Sequence, residues 1–155
     1  AATSTYGVAL GTLATGVVED MIVRNCRFIS GSSAQSAANG AGVVAIATAY
    51  GLTIEQCTFT MKGTAAWAVA IEQLSAGTSN MLVRDCDFLN SSTAATEGIT
   101  TAVTNGGGTI DGSVQVYRCY VSAGTDVATA TAIVDIVLAE TYLASAGGGA
   151  LASNN

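Results

Sequence analysis

Three acidic residues have the types and spacing that could support chemistry. Glu55 lies in the segment LTIEQCTF, and Asp85 and Asp87 lie in the similar segment MLVRDCDF. A fold that stacks the two segments would bring these carboxylates to one face. Paired carboxylates carry glycoside hydrolysis when one has a raised pKa, and carboxylate oxygens are ligands that Ca²⁺ prefers. We therefore treat Glu55, Asp85 and Asp87 as weak candidates for a ligand or metal site.

The surroundings of this cluster argue against catalysis. The same alignment places Arg84 and Arg118 beside the carboxylates, and a neighbouring guanidinium lowers a carboxyl pKa, the wrong direction for a general acid. The chain has no His, the commonest general base and metal ligand. We expect no catalytic residue, no cofactor and no metal. The charges predicted to set the register of neighbouring strands are Arg24, Glu55, Arg84, Asp85 and Arg118.

Four cysteines, Cys26, Cys57, Cys86 and Cys119, follow one another at intervals of about 30 residues. Zinc sites take their ligands in close pairs, so this spacing does not indicate one. The interval indicates a structural repeat in which each buried Cys packs as a small apolar residue. Stacked side chains would point the same way rather than toward each other, so we expect free thiols rather than disulfides.

Each cysteine lies in an octapeptide with a shared pattern of apolar, variable, β-branched, variable, polar, Cys, variable, and Phe or Val. The four copies are MIVRNCRF (21–28), LTIEQCTF (52–59), MLVRDCDF (81–88) and VQVYRCYV (114–121). Alternation on each side of the polar position predicts two short strands, and the phase shift predicts a corner between them. The corner positions are Asn25, Gln56, Asp85 and Arg118. Stacked copies would place Phe28, Phe59 and Phe88 in one inward row beside the cysteines.

A second set of short β-branched segments lies between the octapeptides, separated from them by stretches rich in Gly, Ser, Thr and Asn. This set is GVAL (7–10), GVVAIAT (42–48), WAVAIEQL (67–74), GITTAVT (98–104) and TAIVDIVL (131–138). No long segment keeps a helical period, and an antiparallel sandwich would not explain why the same octapeptide returns. A solenoid explains the return, because equivalent residues of successive coils lie about 4.8 Å apart.

The octapeptides resemble those of the right-handed parallel β-helix in the pectate-lyase-like superfamily, as found in phage tailspikes and virion surface proteins. The resemblance implies an all-β fold, a right-handed parallel β-helix (solenoid) of about 4–5 coils of about 30 residues. We expect an N-terminal segment and first partial coil (1–16), β-helix coils (17–138) and a flexible or partner-bound C-terminal tail (139–155). Leu138–Ala146 would form at most two weak helical turns.

The superfamily serves polysaccharide lyases, hydrolases, phage tailspikes and surface adhesins, so the fold alone does not set the function. Its enzymes carry Asp pairs with a Gly-His-Gly or Arg-x-Lys signature, and this sequence has neither. We therefore expect a non-enzymatic structural module on a virion or extracellular surface, such as a phage head decoration (cement) protein or a tailspike or fibre segment. The alternatives are a polysaccharide-degrading or carbohydrate-binding β-helix and a bacterial surface adhesin or filament subunit.

Composition narrows the partners of the chain. Five basic residues against eleven acidic ones give a net charge of −6, which disfavours nucleic acid. The longest apolar runs are under about ten residues, too short to span a bilayer. A partly apolar column, Ile22, Thr53, Leu82 and Gln115, is predicted to face outward, and such strips indicate a partner surface. We expect a homo-oligomer, with a trimer favoured, or docking on a larger assembly such as a capsid, and leave a surface glycan as an open alternative.

Overall fold

A computed structural model of the chain describes residues 5–11, 16–29, 40–45, 48–61, 69–73, 78–90, 101–105, 112–122, 126–130 and 134–143. Within these ranges the regular elements are β-strands, and every pairing between them is parallel. The prediction of an all-β chain with parallel strands is therefore confirmed.

The strands form four sheets, with strands numbered in chain order. Sheet A contains β1 (Thr5–Leu10), β5 (Gly40–Ala45), β9 (Val69–Gln73), β13 (Thr101–Asn105) and β16 (Asp126–Ala130). Sheet B contains β2 (Val17–Glu19), β6 (Thr48–Tyr50) and β10 (Thr78–Ser79). Sheet C contains β3 (Ile22–Arg24), β7 (Thr53–Glu55), β11 (Met81–Arg84), β14 (Gly112–Tyr117) and β17 (Val134–Ala139). Sheet D contains β4 (Arg27–Ile29), β8 (Thr58–Met61), β12 (Asp87–Asn90), β15 (Tyr120–Val121) and β18 (Tyr142–Leu143). Within each sheet the strands lie side by side in chain order.

Each octapeptide contributes one strand to sheet C and one to sheet D. The residue between them is in the left-handed region, with φ of 55° at Asn25, 54° at Gln56, 54° at Asp85 and 47° at Arg118. This conformation turns the chain and resets the side-chain alternation, so the inward positions on both sides of the corner face one core. The corners are themselves joined by backbone hydrogen bonds, as from Gln56 N to Arg84 O (3.1 Å) and from Asp85 N to Tyr117 O (3.0 Å).

The core consists of rows of like residues that run across the sheets. Ile54, Val83 and Val116 form one row on sheet C and are completely buried. On sheet D the Phe59 ring stacks on Phe28 and on Phe88, with centroids 4.9 and 5.1 Å apart. Parallel in-register pairing places identical side chains next to each other, so each ring is buried by its own counterparts.

The phenyl row packs against the glycines of sheet A. A Cβ atom on Gly42 would lie 2.7 Å from Cδ1 of Phe59, and one on Gly7 would lie 2.6 Å from Cδ1 of Phe28. Neither distance leaves room for a methyl group. The two glycines are therefore required by close approach across the core, since any side chain there would displace the rings.

The C-terminal strands correct two predictions. The sequence predicts at most two weak helical turns in Leu138–Ala146, whereas residues 138–139 end strand β17 and residues 142–143 form strand β18. The segment 131–138 was grouped with the strands of sheet A, whereas β17 pairs with β14 in sheet C, and the fifth strand of sheet A is Asp126–Ala130. The reason is that Thr141 replaces the cysteine of the octapeptide, which hides a fifth copy. Of the expected tail (139–155), Ala139 belongs to sheet C and residues 142–143 to sheet D, with Glu140 and Thr141 at the corner between them. Residues 144–155 lie outside the described residues.

Candidate functional site

The outward face of sheets C and D carries the charged residues that the sequence singled out. Strand pairing places Arg24 beside Glu55, Glu55 beside Arg84, and Arg84 beside Tyr117 in one column of sheet C. Opposite charges therefore alternate along the first three strands of this column. Directly opposed charges of opposite sign stabilise a register by a few tenths of a kcal/mol, and a slipped register would lose that contribution.

Two arginine–carboxylate pairs occupy this face. Arg84 Nε donates to Glu55 Oε2 at 2.8 Å, and Glu55 is largely shielded by its neighbours, with 13% of its side chain exposed. Arg118 makes a bidentate pair with Asp85, from Nε to Oδ1 at 2.7 Å and from Nη2 to Oδ2 at 2.9 Å. Both pairs join a residue of one repeat to its counterpart in the next.

The Asp85–Arg118 pair sits at the corner and not on a strand. Its hydrogen bonds from Arg118 hold the pKa of the Asp85 carboxyl below its usual value, and Asp85 in turn raises the pKa of Arg118. Arg118 also lies over the Tyr117 ring, 5.1 Å from the centroid, and the Tyr117 hydroxyl donates to Glu140 at 3.4 Å. A carboxyl group with a lowered pKa stays ionised at neutral pH and does not act as a general acid.

The three carboxylates proposed as a weak ligand or metal site take different positions. Glu55 and Asp85 are each bound by an arginine, and Asp87 is exposed on sheet D, in the column of Thr58 and Tyr120. Among the described residues no three His, Cys, Asp or Glu side chains are placed to hold a metal ion. The structure thus pairs two of the three acids with arginines rather than with each other.

The four cysteines form a row of free thiols directly behind the charged corners. Cys57, Cys86 and Cys119 are buried, whereas Cys26 is half-buried. Each thiol donates to the carbonyl two residues earlier, as from Cys57 to Glu55 O at 3.2 Å and from Cys86 to Arg84 O at 3.2 Å. The thiols therefore satisfy carbonyls at the point where the corner turns the chain.

Burial suppresses ionisation of two of these thiols. It raises the pKa of Cys57, and the neighbouring Cys119 thiol together with burial raises the pKa of Cys86. The hydrogen bond with Cys86 lowers the pKa of Cys119 in return. A thiolate is the nucleophilic form, so Cys57 and Cys86 are held in the unreactive form. Their arrangement fits packing inside the sheet stack and does not fit nucleophilic catalysis.

Thr141 continues the thiol row and was missed by the sequence search. Its hydroxyl donates to Ala139 O at 3.0 Å and to Val116 O at 3.4 Å, the same pattern that Cys119 makes with Tyr117 O and Val83 O. A search that allowed Thr in place of Cys and Leu at the third and eighth positions would have found IVLAETYL (136–143).

A second line of corners, between sheets B and C, was also missed. Asp20 and Asn80 have φ of 49° and 58°, and Gly51 has φ of 71° at the equivalent point of the repeat between them. A Cβ atom on Gly51 would lie 2.7 Å from Oδ1 of Asp20. The available signal was Asp, Gly or Asn just before each of the first three octapeptides, since these residues adopt the left-handed conformation most readily.

Comparison with known proteins identifies no similar protein. No protein-family model matches the chain, and searches of curated proteins and of solved structures find no significant match. The part of the chain that the structure describes has no helix long and apolar enough to cross a membrane.

Proposed function

We propose that the chain winds as a right-handed parallel β-helix of about 4–5 coils of about 30 residues. Three observations support this. Strands lie side by side in chain order in every sheet, each repeat supplies one strand to sheet C and one to sheet D, and the corners line up in register. A coil that passes through the sheets in turn and then rises by one strand spacing accounts for all three.

On this fold we propose a non-enzymatic structural role. The single observation that carries the proposal is that the ion pairs Arg84–Glu55 and Arg118–Asp85 join successive repeats. Glu55 and Asp85 are the carboxylates that a glycan-cleaving site would need, and here they hold strands in register. The buried thiols and stacked phenyl rings serve the same purpose on the inward side.

The setting we propose for this role is a phage virion, as a head decoration (cement) protein or a tailspike or fibre segment. A stack of parallel strands satisfies its backbone hydrogen bonds along one axis and resists deformation in that direction, which suits a load-bearing or surface-stabilising part. The proposal of a virion extends the resemblance of the octapeptides to proteins of that class.

A polysaccharide panel tests the absence of enzymatic activity. The purified chain is incubated with neutral, uronic-acid and bacterial surface polysaccharides, and reducing ends and unsaturated products are measured. We expect no turnover above a heat-denatured control. Turnover that disappears in the double variant Asp85→Asn/Asp87→Asn and persists in Glu19→Gln, a distant exposed control, would overturn the structural role.

Genome context tests the virion setting separately. Neighbouring genes for capsid, portal or tail proteins are expected beside the gene for this chain. A neighbourhood of cell-wall anchoring or secretion genes would instead support the adhesin alternative.

A further inference from the structure

Seven large hydrophobic side chains are exposed among the described residues, and five of them lie on the outermost strands, the other two being Tyr50 and Tyr120 on inner strands. Val17, Ile22 and Ile29 lie on β2, β3 and β4 at one end of the sheets, which we call the head end. Val137 and Tyr142 lie on β17 and β18 at the other end, which we call the tail end. Ile22 is 58% exposed and Tyr142 65% exposed, so both ends present apolar surface to solvent.

The register of sheet C shows what a further strand at either end would meet. One outward column runs from Ile22 through Thr53, Leu82 and Gln115 to Val137. A second copy that continued this register from the tail end would place its Ile22 beside Val137. The two apolar residues at the ends of the column would then cover each other, and both are exposed without such a contact.

Sheet D and the corner residues of the two ends would also make favourable contacts if a second copy continued the register. The outward column from Arg27 through Thr58, Asp87 and Tyr120 ends at Tyr142, so continuation would set the Arg27 guanidinium over the Tyr142 ring. Arg24 would lie beside Ala139 and next to Glu140, the acidic corner residue of the tail end. Arginine over tyrosine is a favourable contact, and the chain already makes one between Arg118 and Tyr117.

The inward row of sheet C also fits a continued register. Val23 is apolar and belongs to the row that Leu138 joins at the tail end. Arg24 and Arg27 are charged residues exposed on short edge strands and disfavour pairing with an unrelated strand, whereas a copy in this register would set Glu140 and Tyr142 near them. The inward row and the outward columns therefore both accept a copy of the same sequence in the same direction.

We propose that copies of this chain associate end to end, with β3 and β4 of one copy pairing in parallel with β17 and β18 of the next. The proposal rests on the structural role given above and specifies its partner as a second copy. Because the two joined surfaces differ, the contact is heterologous and repeats without closing, which produces rods. Five strands at the usual spacing give an axial repeat of about 24 Å per copy.

A charge-swap experiment tests this contact. Sedimentation velocity and electron microscopy are expected to show the unmodified chain growing with concentration into an open series of rods. Ile22→Glu and Val137→Lys each put an unpaired charge beside an apolar residue in the proposed contact, so each alone is expected to weaken association roughly 5-fold. An equimolar mixture of the two variants is expected to regain rods, since alternate contacts then hold either the original pair or an opposite-charge pair.

Leu82→Glu is the matched control, because it changes the same outward column in the middle of sheet C. If copies associate end to end, Leu82→Glu leaves association unaffected. If they form a lateral trimer through this column, Leu82→Glu abolishes the trimer. A concentration-independent monomer, or a closed trimer abolished by Leu82→Glu and indifferent to the two end variants, overturns the proposal. Circular dichroism of each variant verifies folding, and the polysaccharide panel decides the structural role independently of these outcomes.

Discussion

At the scale of single residues, the cysteines and candidate carboxylates have reactive side-chain types, but most of them are already engaged in contacts within the structure. Three of the four cysteines are buried, all four donate to carbonyls within the stack, and two of the three candidate carboxylates are held by arginines. The thiols thus contribute to packing, and the carboxylates of Glu55 and Asp85 contribute to the register of neighbouring strands. Two pH-dependent predictions follow from the direction of the pKa shifts.

The buried thiols predict a loss of stability at alkaline pH. Cys57 and Cys86 have raised pKa values, whereas the hydrogen bond with Cys86 lowers the pKa of Cys119. Because burial disfavours a negative charge anywhere in the row, the folded chain holds these protons more tightly than the unfolded chain. Their contribution to stability is complete below the unfolded pKa of about 8.5 and is lost as pH rises toward the folded value. Urea midpoints measured from pH 7 to pH 10.5 are expected to fall.

Cys86→Thr is the control for the alkaline prediction, because Thr141 shows that the row accepts a hydroxyl with the same hydrogen bonds. The variant is expected to fold and to lose less stability at high pH than the unmodified chain. An identical decline in both proteins would show that the thiols are not responsible.

The Asp85–Arg118 pair predicts a change at the acid end. The pKa of Asp85 is lowered in the folded chain, so its contribution is present above the unfolded pKa of about 3.9 and disappears as pH falls through the folded value. Asp85→Asn is expected to reduce stability at pH 6 and to narrow its difference from the unmodified chain by pH 2.5. Asp87→Asn, which removes an exposed carboxylate from the adjoining strand, is the matched control. Equal losses of stability at pH 6 in the two variants would show that the arginine pair of Asp85 is not responsible.

At the scale of elements, two features position these residues, namely the left-handed corners and the close contact between sheets A and D. Corner residues with positive φ allow one octapeptide to supply two strands that face the same core. The glycines of sheet A then admit the phenyl rings of sheet D. Each feature predicts the effect of a substitution.

Replacing Gln56 by Gly is expected to stabilise the chain. Gln56 has φ of 54°, and a side chain in this conformation costs about 1 kcal/mol that Gly avoids, less the extra freedom of Gly in the unfolded chain. We expect a gain of about 0.5 kcal/mol in the free energy of unfolding. Thr58→Gly, two residues later on a strand, is expected to destabilise, and equal effects of both substitutions would contradict the corner geometry.

Replacing Gly42 by Ala is expected to destabilise the chain by about 1–3 kcal/mol, because the added methyl group displaces the Phe59 ring. Phe59→Val alone leaves a cavity that costs roughly 2–3 kcal/mol. The double variant should cost less than the two single costs combined, since the smaller side chain makes room for the methyl group. Additive costs, measured by urea unfolding, would show that the two residues do not touch.

The sequence predicted those elements whose pattern recurs with its most distinctive residues. The octapeptides with Cys and Phe gave the strands of sheets C and D, the corners and the columns, because parallel stacking repeats a local pattern. It failed where the pattern is short or altered. The strands of sheet B span two or three residues, β16 is the weakly apolar DVATA, and Thr141 disguises the fifth octapeptide. The contact between Gly42 and Phe59 joins distant sheets, so no local pattern reveals it.

At the scale of the whole molecule, the in-register parallel stacking of the repeats explains why like residues form rows. In-register parallel stacking turns each conserved position of the repeat into a row, so the thiols, phenyl rings and charges each form a line across the sheets. A stack of this kind has two different ends and uniform sides. The difference between the ends is the basis of the end-to-end association proposed above, whereas the structural role rests on the arginine–carboxylate pairs between repeats.

A crystal structure with a sulfur anomalous map tests the in-register stacking most directly. We expect the four sulfur atoms of Cys26, Cys57, Cys86 and Cys119 to lie in one nearly straight row, with neighbours about 4.8 Å apart. Sulfur peaks scattered through the molecule, or neighbouring octapeptides running in opposite directions, would contradict the account.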